Sequence, residues 1–422
     1  MIELNWFLLC FLLLYFAQAS FNIWIERLNL GYSRQRANRA PAGFEEFLDQ
    51  ARLAKTADYE RAKSLAGIAD EIFSEAVLLA ILLSGLLPLL VRWSGSMGLG
   101  VVSSGLLFFF IPGLIQYLSA LPFDYYHTFV VEEKFGFNKS SLKLWIMDQV
   151  KGGVVGGVLF AVLFSLLLLF IRWSPKFWWL WGFLLLSAFQ LVMALVYPVL
   201  LAPLFNKFEP VCDEELAAKI QDQMQNSGIR VKKILQMNAG IRSKHTNAYF
   251  TGVGKTKRIV LYDTLIQSHS HEEILAVLAH EVGHYKKKHV VKQLVLFTCF
   301  SFAAFYATWL FIQWPVVFST FGFSSMPVYV GIFLAWIVWS KAGFFIKPLF
   351  MAISRRFETE ADMFAAETIG NGEALANALK RVAADNLSNL NPHPLYVRFH
   401  YSHPPVVQRV ATLEKSVVGE SK

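Results

Sequence analysis

Ser270-His271-Glu272-Glu273-Ile274-Leu275-Ala276-Val277-Leu278-Ala279-His280-Glu281-Val282-Gly283-His284-Tyr285-Lys286-Lys287-Lys288 reads as helix from about Glu272 to Lys288. It carries the pattern His280-Glu281-Val282-Gly283-His284. Histidines four apart stand one turn above each other on a helix face, so both imidazoles can reach one ion. Glu281, beside the first histidine, is placed to handle the proton of a water at that ion. Ser270 with Glu273 three positions later forms a capping box, and Ile274, Leu275, Val277 and Leu278 supply an apolar stripe. Gly283 costs roughly 1 kcal/mol against alanine and lets another backbone or a substrate come close. The pattern also arises by chance, on a surface helix with two solvated histidines. The cap and the stripe argue instead for a buried, built site.

A peptidase zinc needs a third protein ligand and an open position for water. The best candidate lies in Ser354-Arg355-Arg356-Phe357-Glu358-Thr359-Glu360-Ala361-Asp362. Glu358 and Asp362 share a helix face, while Glu360 points elsewhere. Glu358 is the expected ligand, and Asp362 the residue that orients one ligating imidazole. Taken alone, the segment would pass for an ordinary charged helix surface.

The chain has 422 residues, 55% of them hydrophobic, and a mean hydropathy of +0.43. That excludes an ordinary soluble globule. Uncharged tracts lie at 4–25, 76–91, 93–123, 152–171, 177–206 and 293–340, and all but the 16-residue 76–91 reach the ~20 residues that cross a hydrocarbon core of ~30 Å. The last holds two spans around a turn near Gln313-Trp314-Pro315. Seven membrane helices are expected, at roughly 4–24, 72–91, 99–122, 153–172, 178–202, 293–313 and 327–347. The second is the weakest, and Pro112 and Pro198 are expected to kink theirs. The first tract lacks the basic flank of a cleavable signal. Cys10, Cys212 and Cys299 form neither a disulfide framework nor a cysteine metal site.

The net charge of +8 reflects topology rather than nucleic-acid binding. Lysine and arginine concentrate in 25–71, 124–151, 207–292 and 348–422, whereas the alternate connections hold little beyond Arg92, Arg172 and Lys176. Seven spans put the rich segments on one side, which the positive-inside rule makes cytoplasmic. The same parity returns Glu358 to the face that carries His280 and His284. The sequons at Asn138 and Asn386 fall on that face too, so neither should carry glycan.

The chain then divides into 1–206, with five spans and their loops, 207–292, the cytoplasmic lobe with the zinc helix, 293–350, two more spans, and 351–422, a second lobe with the third ligand. In the first lobe Asp213 to Asn226 looks like an amphipathic helix. His245-Thr246-Asn247-Ala248-Tyr249-Phe250, a turn at Thr251-Gly252-Val253-Gly254, and Arg258-Ile259-Val260-Leu261-Tyr262 read as a β-hairpin. Its edge could hold an extended peptide by main-chain pairing, or it could simply pack on the helix. In the second lobe His400-Tyr401-Ser402-His403-Pro404-Pro405 is a stiff extended segment, suited to a fixed donor or to a surface loop.

With these pieces together the chain resembles the type I CAAX prenyl endopeptidases, integral-membrane zinc metallopeptidases that process prenylated proteins. The resemblance runs over nearly the whole chain. It includes Phe129-Val130-Val131-Glu132-Glu133-Lys134-Phe135-Gly136-Phe137-Asn138, Asn247-Ala248-Tyr249-Phe250, Lys257-Arg258-Ile259-Val260-Leu261 with Asp263-Thr264-Leu265, the zinc helix, the Glu358 segment and the His400–Pro405 ending. It implies a mainly α, polytopic protein whose seven helices form a barrel around a large chamber. It also implies Asn247 on the substrate backbone, Glu358 as third ligand, and His403 and Arg409 near the reacting carbonyl. No retrieval signal for the endoplasmic reticulum is evident at the end of the sequence, which favours a bacterial inner membrane, with the endoplasmic reticulum as the eukaryotic alternative.

The expected chemistry is peptide hydrolysis by a monomer with one Zn2+ per chain. Glu281 is the general base and His403 an oxyanion donor. The substrate would be a peptide or protein, with a prenylated CaaX C-terminus as the form the resemblance suggests. A heat-shock-type quality-control metallopeptidase shares the metal pattern. A transporter or channel with a metal site is the alternative of another class, but the spans hold few ionisable residues.

Overall fold

The computed structural model describes residues 2–37, 39–251, 256–370 and 372–419. The expected glycine-rich turn therefore lies, apart from Thr251, outside the described residues. Helix α1, Trp6–Arg36, starts where the Asn5 side chain accepts from the Leu8 N–H at 3.0 Å. Helices α2, Gln50–Leu83, and α3, Leu86–Ser96, meet at a 52° bend. Gly85 makes that bend at φ +82°, a left-handed conformation that suits glycine. Next come α4, Val101–Tyr126, α5, Leu142–Trp173, and α6, Trp178–Val196. Among the described residues, six helices are long and apolar enough to cross a bilayer, and the bent pair makes a seventh. The weakest expected span is the broken one. Exposed Leu13, Val158 and Leu200 would be a hazard in water and are ordinary contacts in lipid.

Pro112 stays inside α4, whereas Pro198 sits in a π-helical turn, Tyr197–Leu201, that follows α6. The basic segment 25–71 is largely helical. It holds long extensions of α1 and α2, because charges mark where the membrane ends and not where the helix does. These extensions face each other across polar rungs: Asn22 with Glu71 at 2.7 and 2.8 Å, Ser64 with Glu26 at 3.0 Å, and Asn29 with Glu60 at 3.5 Å. Where the rungs enter the apolar region, buried Lys341 pairs with Glu75 and donates to Gln18 at 3.0 Å.

The peptidase half begins with β1, Phe208–Pro210, followed by α7, Glu214–Asn226, which Asp213 caps at 2.8 Å. Strands β2, Arg230–Met237, β3, Ala248–Thr251, and β4, Thr256–Tyr262, complete a sheet of order β1-β2-β4-β3. The expected hairpin is the antiparallel β3–β4 pair, with Ala248 opposite Leu261. The sequence reading omits β1 and the parallel partner β2. Leu216, Ile220 and Met224 of α7 pack with Ile259 and Leu261 of the sheet against α8, His271–Lys286. The zinc-pattern helix thus rests on the sheet, and its capping box closes with both hydrogen bonds, at 2.8 and 3.2 Å.

Helix α9, His289–Phe311, leads to the membrane, and α10, Val328–Ile369, runs unbroken from it into the second lobe. The boundaries drawn at 292/293 and 350/351 therefore fall inside helices. Only 206/207 coincides with a break. Helices α11, Glu373–Asp385, α12, Pro394–His400, and α13, Val406–Gly419, finish the chain. Phe44, Leu48 and Leu53, from before and within α2, bury themselves among Ala276, Ala365, Leu375 and Leu413. The amino-terminal segment is part of the core behind the zinc-pattern helix.

Candidate metal centre

Helices α8 and α10 can lie close because Gly283 has no side chain: a Cβ there would stand 3.0 Å from both Cα and O of Ala361. This close approach sets His280 and His284 against Glu358. The two Nε2 atoms are 3.1 Å apart, and Glu358 brings Oε2 to 3.3 Å from one and Oε1 to 3.3 Å from the other. Tetrahedral zinc with bonds of ~2.0–2.1 Å separates its donors by roughly 3.3 Å. The spacing, the buried positions of His280 and Glu358, and a Glu358 Oε2 with no hydrogen-bond partner all fit a metal ion. Among the described residues this is the one group of its kind.

Each imidazole is braced on its far side. His280 Nδ1 lies 2.8 Å from Asp362 Oδ1, and Arg409 forks onto Asp362 at 2.8 and 2.6 Å. Burial works against a charge on His280, yet Asp362 and Glu358 outweigh it and lift its pKa to about 9. His284 Nδ1 lies 3.1 Å from Nδ1 of His289, whose Nε2 lies 3.1 Å from Glu360 Oε2.

Glu281 is carried on α8 next to His280. Burial pushes its carboxyl above the ordinary range, which suits a group that takes and returns a proton. His403 is exposed and brings Nε2 to 3.3 Å from Glu358 Oε2, with Ser402 Oγ at 2.8 Å from its Nδ1. Asn247 immediately precedes the edge strand β3. Its main-chain oxygen accepts from the Tyr262 N–H at 3.0 Å and its Oδ1 from the Ala248 N–H at 2.8 Å. Arg409 turns Nε and Nη2 onto Asp362 behind His280, and its charge is also felt by Glu281, Glu358 and His403. His289 and Glu360 are the residues that sequence reasoning misses. Lys288 turns the chain at φ +56° to bring His289 back beside His284, and nothing in a run of lysines announces such a turn.

A cavity of about 530 Å³ is lined in part by Glu26, Glu60, Glu71, His127, His245 and Tyr401. His245 and Tyr401 stand two residues before Asn247 and His403 in the chain.

Comparison with known proteins covers nearly the whole chain. Residues 31–207 match the CAAX prenyl protease N-terminal domain of five membrane helices, and residues 210–417 match peptidase family M48. The chain is 34% identical to a CAAX prenyl protease 1 homolog of Arabidopsis thaliana, with 89% of each covered. Identity to CAAX prenyl protease 1 of Saccharomyces cerevisiae is 31%, over 93% of this chain and 91% of that one. A human homolog is 30% identical, over 89% and 88% respectively. The crystal structure of S. mikatae Ste24p superposes with a TM-score of 0.90 at 30% identity, covering 98% of this chain and 100% of that one.

Proposed function

This chain belongs to peptidase family M48 with a CAAX prenyl protease N-terminal domain, and from that premise we propose how its membrane metalloendopeptidase activity is organised. The resident metal is zinc, one per chain, on His280, His284 and Glu358. The observation that carries this reading is the spacing of those three donors at 3.1–3.3 Å. When bound there, zinc supplies a Lewis acid that polarises the scissile carbonyl and lowers the pKa of a water toward ~7.

The chain's own residues do the rest. Glu281 takes the proton of the attacking water and passes it to the leaving amine. His403 donates to the carbonyl oxygen as charge develops on it. The edge of β3 pairs with an extended substrate main chain, with Asn247 at its end. Asp362, backed by Arg409, aims His280. The substrate is the C-terminal region of a peptide or protein, prenylated CaaX sequences included, and the flanking segment lies in the cavity between His245 and Tyr401. The chain acts as a monomer, and the site, built from segments 207–292 and 351–422, faces the cytoplasm because the basic connections lie on that side.

The test uses purified full-length protein, a prenylated CaaX peptide and its unprenylated twin. Wild type should cut the prenylated peptide near its C-terminus with higher kcat/KM. Glu281→Gln should keep its zinc and lose about 10²–10⁴-fold in rate. Scattered internal cuts in unfolded membrane proteins, with neither peptide cleaved, would replace the C-terminal assignment by quality-control proteolysis. Near-normal hydrolysis by Glu281→Gln would remove Glu281 as the base.

A further inference from the structure

We infer that His289 and Glu360 form a positioning pair that fixes the tautomer and aim of His284, an inference that rests on the zinc reading above. Nε2 of His284 faces His280 and Glu358 and must present a lone pair to a metal, so its hydrogen sits on Nδ1. On that side His289 Nδ1 stands 3.1 Å away. His289 must therefore accept through Nδ1 and carry its own hydrogen on Nε2, where Glu360 Oε2 accepts at 3.1 Å. Each group in the row has one role: donor to acceptor, donor to acceptor, ending on a carboxylate.

Three independent features place His289 for this purpose. It is 1% exposed, so its nitrogens have no exchange with bulk water to fall back on. Its ring stacks on Phe357, 4.4 Å between centroids and 8° from parallel, which fixes the plane in which Nδ1 points. Lys288 before it is one of two non-glycine described residues at positive φ, and the helix is interrupted there rather than one residue later. A non-glycine residue in that region costs of order 1 kcal/mol and persists where the surroundings demand it. Glu360 is itself held by Arg356 at 3.0 Å. It is not a ligand, since it lies on the far side of α10 from Glu358, and it reaches the metal centre only through two imidazoles.

The test is zinc retention by the full-length protein in detergent, read as the rate of transfer to the chelating dye 4-(2-pyridylazo)resorcinol. Loss of such an outer partner typically lowers metal affinity about 10–100-fold. His289→Phe keeps the ring and the stack on Phe357 but offers no acceptor, and it should release zinc within that range faster than wild type. In His289→Asn the amide oxygen takes the place of Nδ1, and retention should return to within about threefold of wild type. That rescue would not follow from a merely structural role. Glu360→Gln, at a partly exposed position where the fold is not at risk, should fall between the two. Retention by His289→Phe equal to wild type would overturn the inference, and so would loss by His289→Asn as fast as by His289→Phe. A wild type that takes up no zinc would instead sink the zinc reading on which the pair depends.

Discussion

The two metal-side imidazoles are braced by different chemistries. Behind His280 stands a carboxylate with its own cation, Asp362 and Arg409, whose side chains are 4% and 10% exposed. Behind His284 stands a neutral ring, and the carboxylate comes one step later at Glu360, which is 30% exposed. Burial explains the division. A carboxylate in the interior is tolerable only with a hydrogen-bonded partner charge, whereas near water it needs none so closely matched. The inner brace is therefore a charge pair that the fold depends on, and the outer one is a hydrogen-bond row that the fold can lose.

The largest expected effect breaks the inner brace. Asp362→Ala leaves Arg409 buried without its partner, which should destabilise the protein by about 3–5 kcal/mol and release zinc as well. Thermal unfolding in detergent measures the first and metal analysis the second. Adding Arg409→Met should restore much of the stability and none of the zinc affinity. A single variant that melts with wild type would show that the two braces do not differ.

A smaller effect moves both braces together. Gly283→Ala puts a methyl group 3.0 Å from the Ala361 backbone, so α8 and α10 must part. Overpacking of this kind costs about 1–3 kcal/mol. Zinc should be held more weakly although every ligand and brace is intact. Unchanged zinc release would mean that the helices have slack and that donor spacing is set elsewhere.

The smallest effect concerns an imidazole with no brace. His400 stacks on Tyr396 with 4.5 Å between centroids and has a buried Nε2 without a partner. Burial, helped by the charge of Lys347, lowers its pKa to about 4. The unfolded chain takes up a proton below about 6.5 that the folded chain refuses until about 4. Stability should then decline as pH falls through that window. His400→Phe keeps the stack and should narrow the difference in Tm between pH 7.5 and pH 5. An unchanged difference would assign the acid sensitivity to other groups.

The part of the site legible in sequence is the part contained in single helices. Cap, stripe and ligand spacing of α8 share one period, and Glu358 with Asp362 share another, so spacing plus span parity suffices to bring them together. His289 is illegible because its place depends on a left-handed lysine. The bond from Arg409 to Asp362 is illegible for a related reason: resemblance puts Arg409 near the site but does not say which neighbour takes its fork. In the fold, apolar tracts reveal the spans but not the extensions of α1, α2 and α10, which continue helically into charged sequence. Strand β2 is hidden because Lys232 and Lys233 interrupt the alternation that would announce it, and it is secured by β4 alongside rather than by its own pattern.

The pairing of Glu75 with Lys341 gives the order of synthesis a structural meaning. The two residues are 266 positions apart, which at ribosomal speeds of 5–20 residues per second separates their emergence by about 15–50 s. Throughout that interval the second span stands at the membrane with a carboxylate and no cation beside it. A carboxylate inside hydrocarbon is costly, so the second span gains its buried cation only when the last one arrives. The amino-terminal spans are thus not a finished module awaiting a catalytic half. A truncated chain that stops short of Lys341 should be a substrate for membrane quality control rather than a folded membrane domain.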